Sequence, residues 1–248
     1  MTPNIWWTGY VFILFTILIV SVCFTNGTAE GKQSASARVL PFRAMLAGYP
    51  NPDDPVFWDR AFWNERLTLW RSEGYNAVVW HGPNELTNGQ HLLIRHEEFP
   101  EARELSSEET VRLIAHMTWL FGRASELELK NYLFTHLIFF TGAFAKAHGL
   151  DKEMPVSPEV SHWHNDGHPD FWRGGITKNV GVRNELTRAY TEAVFAELPQ
   201  VYPDLDGFYG LLGEPLPGDR SLFFREAVAP GLKRSGRNPH FIAEQWQT

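Results

Sequence analysis

One glutamate stands at the point where a buried strand is expected to end. Residues 207–215 read Gly-Phe-Tyr-Gly-Leu-Leu-Gly-Glu-Pro, so an apolar run stops at Glu214. A carboxyl group held against an apolar wall can have a raised pKa, which lets it act as an acid near neutral pH. Glycoside cleavage needs such an acid to protonate the leaving oxygen, together with a second carboxylate. Glu214 is therefore a candidate general acid/base; otherwise it caps the next helix or pairs with Arg220.

The residues around this glutamate also resemble a known motif. Gly213-Glu214-Pro215 resembles the Asn-Glu-Pro of retaining glycoside hydrolases in the large clan of (β/α)8 barrels that includes cellulases and mannanases. In that clan this Glu follows strand four and is the acid/base, and a second Glu after strand seven is the nucleophile. The resemblance implies that Glu214 is the acid/base. Gly213 departs from the clan's Asn, which bonds the sugar 2-hydroxyl, and no residue here matches the strand-seven nucleophile.

Side chains that suit sugar binding lie in the other expected strands or directly after them. Imidazole and amide groups hydrogen-bond hydroxyls, and indole rings stack on the apolar face of a pyranose. Trp80 could instead be a packing residue, and His136 a hydrogen-bonded core histidine. Arg95 and His96 could reach a carboxylated sugar, or lie in a solvated loop. The candidate substrate-binding residues are Trp80 and His81 at the end of the second strand, His136 within the third, and Gln245 and Trp246 at the end of the fifth.

A histidine-rich segment covers residues 161–172, with the sequence Ser-His-Trp-His-Asn-Asp-Gly-His-Pro-Asp-Phe-Trp. Imidazole and carboxylate are zinc ligands, so a metal-dependent barrel hydrolase is one alternative function. Barrels of that kind usually carry His-x-His after strand one, whereas the first strand here ends Ala47-Gly48-Tyr49. Trp163 and Trp172 could instead stack on substrate, or the segment could be an ordinary loop. The candidate zinc ligands are His162, His164, Asp166 and His168.

Alternating strand and helix patterns position these residues. Apolar, β-branched and aromatic runs predict strands, and apolar residues at helical spacing predict helices. Ser106 and Glu109 form a capping box that begins one of the helices. Alternating elements of this kind predict a parallel sheet. The predicted strands are 43–49, 75–80, 132–141, 205–212 and 240–245, and the predicted helices are 56–72, 106–128, 183–198 and 221–234.

Two architectures fit this order, a (β/α)8 barrel of TIM type and an open, doubly wound sheet. The sequence has no Gly-x-Gly-x-x-Gly after strand one and no Gly-x-x-x-x-Gly-Lys, so dinucleotide and P-loop functions lose their main support. Long segments at 82–105 and 142–181 follow the second and third strands, at the end of the sheet where barrels build active sites. We therefore expect residues 41–248 to form the first five units of a longer (β/α)8 barrel.

The amino-acid composition excludes several further classes of partner and site. A formal net charge of −7 and a pI near 5.8 argue against a nucleic-acid partner. The single cysteine, Cys23, excludes an intrachain disulfide and a multi-cysteine metal site. The 10 tryptophans suit either a Trp-rich core or a cleft that binds sugars. We expect a carbohydrate substrate and no cofactor, with a non-catalytic carbohydrate-binding or degenerate barrel as a further alternative.

The N-terminal residues predict export. Residues 10–24 form one apolar run, and no Asp, Glu, Lys or Arg occurs from Met1 to Ala29. This run is short for a spanning helix and is typical of a signal peptide. We assign residues 1–29 to a signal peptide or uncleaved membrane anchor and residues 30–40 to a linker. Either interpretation places the rest of the chain outside the cytoplasm, as a secreted, periplasmic or membrane-anchored protein.

Overall fold

The structure is a computed structural model, and it describes residues 41–48, 52, 54–81, 93–136, 141–149, 185–211 and 220–244. The chain divides at Pro41, and every element below belongs to the unit Phe42–Thr248. Among the described residues, none of the helices combines the length and the apolar character that crossing a bilayer requires.

Five strands form one parallel sheet, as the alternating pattern predicts. Their spatial order is β1-β2-β3-β4-β5, so each strand pairs with the strands that precede and follow it in the chain. A doubly wound sheet reverses its strand order at a switch point, and these five strands show no such reversal. The strands are β1 Ala44–Gly48, β2 Ala77–His81, β3 Lys130–His136, β4 Gly207–Leu211 and β5 His240–Glu244.

Helical segments connect the strands. A wide, π-type turn at Phe224–Val228 joins the last two helices and ends two residues before Pro230. A short 3-10 turn covers Pro100–Ala102. The helices are α1 Pro55–Trp58, α2 Arg60–Ser72, α3 Ser107–Glu126, α4 Gly142–Ala147, α5 Glu185–Val201, α6 Arg220–Phe223 and α7 Ala229–Arg234.

The segment 56–72, which the sequence predicts as one helix, forms two helices in the structure. Asp54 begins α1, and its side chain accepts the backbone N–H of Val56. Asp59 has an extended backbone, and its carboxylate accepts the N–H groups of Ala61 and Phe62, so a second helix begins there. A short acidic side chain that satisfies these backbone donors favours a helix start over helix continuation. The prediction of one helix over 56–72 was therefore wrong at Asp59.

The capping box predicted at Ser106 is confirmed. The backbone N–H of Glu109 donates to Ser106 Oγ at 3.2 Å, and the Glu109 carboxylate accepts the N–H of Ser106 at 2.9 Å. Two N–H groups that the helix itself leaves unpaired are thereby satisfied. α3 consequently begins at one defined residue.

The main core lies between the sheet and the helices. Val78, Leu133 and Phe208 of the strands pack in it with side chains from α2, α3 and α5. On the opposite face of the sheet a smaller apolar cluster contains Val79 and Tyr132. Strands covered on both faces are apolar almost throughout, which explains the near-continuous apolar runs of the sequence.

Candidate functional site

The carboxyl ends of the five parallel strands form one edge of the sheet. On the face away from the main core, the register aligns Phe134 of β3 with Tyr209 of β4 and Ile242 of β5. The next row toward the carboxyl ends is His136, Leu211 and Glu244. A row of two aromatic residues and one isoleucine therefore precedes a row that contains two ionisable residues.

Aromatic rings line this end of the sheet. The rings of Phe134 and Tyr209 are stacked with centroids 5.9 Å apart, and the imidazole of His81 lies 4.3 Å from the ring of Phe134. His81 is half-buried, and its partner across the strands, Gly48, faces open space. An imidazole beside an aromatic floor can donate and accept hydrogen bonds while a ligand ring contacts the floor.

The structure brings His81 and His136 to the same end and the same face of the sheet. His81 ends β2, and His136 ends β3. The face on which His136 lies follows from strand alternation, because it stands two residues after Phe134. Both residues are candidates from the sequence, where His81 was expected at the end of the second strand and His136 within the third.

Trp80 belongs to the core and is removed from the candidate substrate-binding set. Its side chain is 0% exposed and contacts the rings of Trp63 and Phe121. Its indole N–H donates to Asn131 Oδ1 at 2.9 Å, and the Asn131 amide in turn donates to the Phe121 carbonyl oxygen. Neighbouring residues of a strand point to opposite faces, so Trp80 is turned away from the face that carries His81.

Most of the other predicted site residues lie outside the part of the chain that the structure describes. They are Glu214, Trp163, Trp172, Gln245 and Trp246, together with the candidate zinc ligands His162, His164, Asp166 and His168. The described residues contain no group of three or more His, Cys, Asp or Glu side chains placed to hold a metal ion.

Sequence analysis missed Glu244. It is the last residue of β5 and stands opposite Leu211 in the register. The predicted strand 240–245 included it, but its place in a row with His136 depends on the registers of two strand pairs. Strand alternation was the signal available: Glu244 stands two residues after the apolar Ile242 and directly before Gln245.

The described part of the segment after β2 is fastened to α5. The Glu197 carboxylate accepts the backbone N–H groups of Arg95 at 2.6 Å and Glu97 at 3.2 Å. Burial raises the pKa of Glu197 above its ordinary value, while these two hydrogen bonds oppose the rise. The Tyr202 hydroxyl donates to the carbonyl oxygen of Leu93 at 2.6 Å. Residues 93–97 are therefore tied at three backbone groups to α5 and to Tyr202, which directly follows it.

Within this segment the two basic residues lie in different surroundings. His96 is 4% exposed and stacks on Tyr190, with ring centroids 5.9 Å apart. The alternative of a solvated loop is therefore wrong for His96. Arg95 is exposed, and its backbone carbonyl oxygen accepts a hydrogen bond from the Arg103 side chain.

Comparison with solved structures finds glycoside hydrolases. A GH138 enzyme targeting pectin rhamnogalacturonan II matches with a TM-score of 0.56 and 18% identity, over 77% of this chain and 19% of that one. A glycoside hydrolase family 20 β-N-acetylglucosaminidase matches with a TM-score of 0.49 and 17% identity, over 81% of this chain and 43% of that one. This chain thus spans less than half the length of either protein.

Comparison at the level of sequence finds neither a matching protein-family model nor a matching curated protein. The likeness to the GH138 enzyme is therefore one of fold: the chain has the α/β arrangement of part of a glycoside hydrolase.

Proposed function

We propose that this chain is a glycoside hydrolase acting on a poly- or oligosaccharide, and that its sheet belongs to a (β/α)8 barrel. The observation that carries the proposal is the row of residues at the carboxyl ends of sequentially ordered parallel strands. His136 belongs to that row, and His81 lies one level below it, where its ring contacts Phe134 of the stacked pair Phe134 and Tyr209. Barrel enzymes build their active sites at this end, and the likeness of fold to the GH138 enzyme is consistent with that architecture.

In this proposal Glu214 is the general acid/base. In the sequence it follows Leu211, the last residue of β4, by three positions. β4 ends at the same edge of the sheet as β2 and β3, which end at His81 and His136. Its carboxylic acid protonates the glycosidic oxygen as the bond to the anomeric carbon breaks, while a second carboxylate, to which no residue of this sequence is matched, bonds to that carbon. The Glu214 carboxylate then takes a proton from the water that attacks the anomeric carbon and displaces the second carboxylate. His81 and His136 bind sugar hydroxyls. Trp163, Trp172, Gln245 and Trp246 remain proposed substrate contacts.

The same proposal places the protein outside the cytoplasm. The uncharged apolar run at residues 10–24 supports a signal peptide or anchor. Fractionation of cells that express the chain with and without residues 1–29 tests this: the full chain leaves the cytoplasm, and the shortened chain stays there. Equal cytoplasmic retention of both contradicts export.

Replacing Glu214 by Gln tests the acid/base role. A general acid matters most when the leaving group is a poor one, since a good leaving group departs without a proton. On natural oligosaccharides we expect Glu214→Gln to lower kcat/KM by about 100- to 10,000-fold. On dinitrophenyl glycosides, whose leaving group is good, the loss in the bond-breaking step is much smaller. The measurement is steady-state hydrolysis of both substrate types by the full chain.

Glu65→Gln is the matched control, because Glu65 is an exposed residue of α2 and loses the same charge. It retains wild-type hydrolysis on both substrate types. Equal activity of the Glu214→Gln variant and the wild type contradicts the role of Glu214. If the wild-type protein binds oligosaccharides without cleaving them, this result contradicts the proposed hydrolase activity and indicates a carbohydrate-binding protein. Hydrolysis that a chelator abolishes and zinc restores points instead to the metal-dependent alternative.

A further inference from the structure

Two arginines cover tryptophan rings where α3 faces α1 and α2. The Arg112 guanidinium lies 3.9 Å from the centre of the Trp58 ring, and that of Arg60 lies 4.8 Å from the centre of the Trp119 ring. Both arginines are exposed, and both tryptophans are half-buried. A ring beneath a guanidinium holds its plane in place and leaves the N–H groups at its edge available for hydrogen bonds. We call these four residues the arginine patch.

The charges of the patch are not neutralised by contact with a carboxylate. Among the described residues neither of its arginines forms an ion pair, whereas four other arginines pair with glutamates. The carboxylates of Asp54, Asp59 and Glu109 accept backbone N–H groups at helix starts. Glu108 stands four residues before Arg112 and does not pair with it. A chain with a net charge of −7 thus presents two uncompensated cations side by side.

A buried histidine lies between the two tryptophans of the patch. Arg112, His116 and Trp119 stand at positions i, i+4 and i+7 of α3, so they share one side of that helix. The His116 ring is 5.0 Å from that of Trp58 and 5.8 Å from that of Trp119, between centroids. His116 is 4% exposed, and its Nε2 atom has no hydrogen-bond partner among the described residues. A buried polar atom without a partner is uncommon, and here it lies beside the two uncompensated cations.

The patch belongs to the outer helices, toward the end of the sheet that carries His81. Each strand is parallel to the next, so the helices between them return the chain from the carboxyl end of one strand to the start of the next. α2 and α3 therefore both begin at the carboxyl ends of the strands. Arg60 is the first residue of α2, and Arg112 is the sixth of α3. A long ligand bound at this end of the sheet can therefore continue over the patch.

We propose that the arginine patch binds an anionic polysaccharide, through carboxylate or sulfate groups on the sugar chain. The inference deepens the proposed function and rests on it for the choice of a carbohydrate. A guanidinium donates two parallel N–H groups to one such anion. Arg112 and Trp119 are seven residues apart, about 10 Å along α3. We therefore expect the two guanidinium groups to bind separate anionic groups of one chain, which a small free anion does not offer.

Matched polysaccharides test the patch. Calorimetric titrations use the full chain with polygalacturonate and alginate, each beside its carboxyl-reduced form, and with dextran sulfate beside dextran. We expect at least one anionic polymer to bind more tightly than its neutral counterpart, with an affinity that falls as salt is added. Arg60→Gln and Arg112→Gln each weaken this binding by about 2- to 5-fold, and the double variant weakens it by about 4- to 25-fold. The reduced polymers and the dextran sulfate distinguish a carboxylate ligand from a sulfate ligand.

Two controls locate the effect at the patch. Arg225→Gln loses the same charge on the turn between α6 and α7, where Arg225 is exposed and forms no ion pair among the described residues, so it keeps the wild-type affinity. In NMR spectra the indole N–H signals of Trp58 and Trp119 shift when the anionic polymer is added to the wild type, and not when it is added to the double variant. Thermal unfolding establishes that each variant is folded before its affinity is compared.

The outcomes separate this inference from the proposed hydrolase. The pattern just described supports the patch. Anionic and neutral polymers that bind equally or not at all, or a folded double variant with unchanged affinity, overturn the inference and leave the hydrolase in place. Poly-glutamate that binds as tightly as the best polysaccharide, with the same loss in the double variant, also overturns it and indicates an acidic peptide. Binding at the patch without hydrolysis of any sugar supports the inference and overturns the hydrolase.

Discussion

A buried histidine on α3 has surroundings that oppose its protonation. The His116 ring lies 4.7 Å from that of Phe57, 5.0 Å from that of Trp58 and 5.8 Å from that of Trp119, between centroids. Burial, together with the positive charges of Arg60 and Arg112, lowers the pKa of His116 to about 4. Its Nε2 atom has no hydrogen-bond partner among the described residues. His116 therefore stays neutral well below the pH at which an exposed histidine becomes charged.

The same two arginines tie the first helices to α3. The Arg112 guanidinium lies 3.9 Å from the centre of the Trp58 ring, and that of Arg60 lies 4.8 Å from the centre of the Trp119 ring. Arg112 of α3 thus contacts Trp58 of α1, and Arg60 of α2 contacts Trp119 of α3. Contacts of this type contribute about 0.5–1 kcal/mol each at exposed positions. A third positive charge at His116, between these two cations, weakens the arrangement.

His116 predicts a loss of stability in acid. Because its pKa falls from 6.5 in the unfolded chain to about 4 in the folded protein, only the unfolded chain takes up the proton between these values. The free energy of unfolding therefore falls as the pH drops from about 6.5 to 4. We expect His116→Phe to remove about 2–3 kcal/mol of this fall. Urea unfolding of both proteins from pH 7.5 to 4 measures it, and a difference between them that does not vary with pH contradicts the prediction.

At the scale of elements, Glu197 of α5 holds the segment that follows β2. Its carboxylate accepts the N–H groups of Arg95 and Glu97. The aromatic contact between His96 and Tyr190 fastens the same segment to the same helix. The path of this segment therefore depends in part on a half-buried side chain that is 100 to 102 residues away in the sequence.

Glu197→Ala is expected to loosen this segment while α5 stays folded. Since hydrogen bonds to a charged acceptor are lost, the amides of Arg95 and Glu97 should exchange with solvent about 10- to 100-fold faster. Hydrogen exchange followed by NMR measures this. Glu192→Ala is the matched control on α5, because Glu192 pairs with Arg234 at 3.4 Å rather than with the segment. Unchanged protection at both amides in the Glu197→Ala variant would show that the remaining contacts, such as that of Tyr202 with Leu93, hold the segment without Glu197.

At the scale of the whole molecule, the sheet requires a close approach of β4 and β5 at Gly207. A Cβ atom at Gly207 would lie 2.2 Å from the backbone carbonyl oxygen of His240, its partner in the register. The backbone atoms of paired strands cannot move apart to make room for a Cβ atom without breaking the hydrogen bonds between the strands. Gly48 of β1, by contrast, has nothing within 4 Å of an added Cβ atom.

Gly207→Ala is therefore expected to destabilise the molecule by about 2–3 kcal/mol, as overpacking does. Gly48→Ala is the control, and its free energy of unfolding should stay within about 0.5 kcal/mol of the wild type. Urea denaturation of the three proteins gives both values. If Gly207→Ala is no less stable than Gly48→Ala, then β4 and β5 do not approach each other as closely as described.

The local elements follow largely from the sequence, because they depend on neighbours along the chain. Strand alternation and apolar runs predict the five strands to within a few residues, and Ser106 with Glu109 predicts the start of α3. The wrong prediction at Asp59 also has a local cause. The Asp59 carboxylate accepts hydrogen bonds from nearby N–H groups and begins a new helix. The spacing of apolar residues does not reveal this competition between the side chain and helix continuation.

The site depends on contacts between residues far apart in the chain. From the sequence alone, Trp80 is either a packing residue or a substrate contact, and the packed sheet decides this, because Trp80 bonds Asn131 in the core while His81 contacts Phe134 on the other face. The position of Glu244 in the row of His136 likewise requires the registers of two strand pairs. Residue type and local spacing thus determined which chemistry is present and which elements carry it. Tertiary structure decided which side chains meet, because strand order, register and burial arise only when the whole sheet packs against its helices.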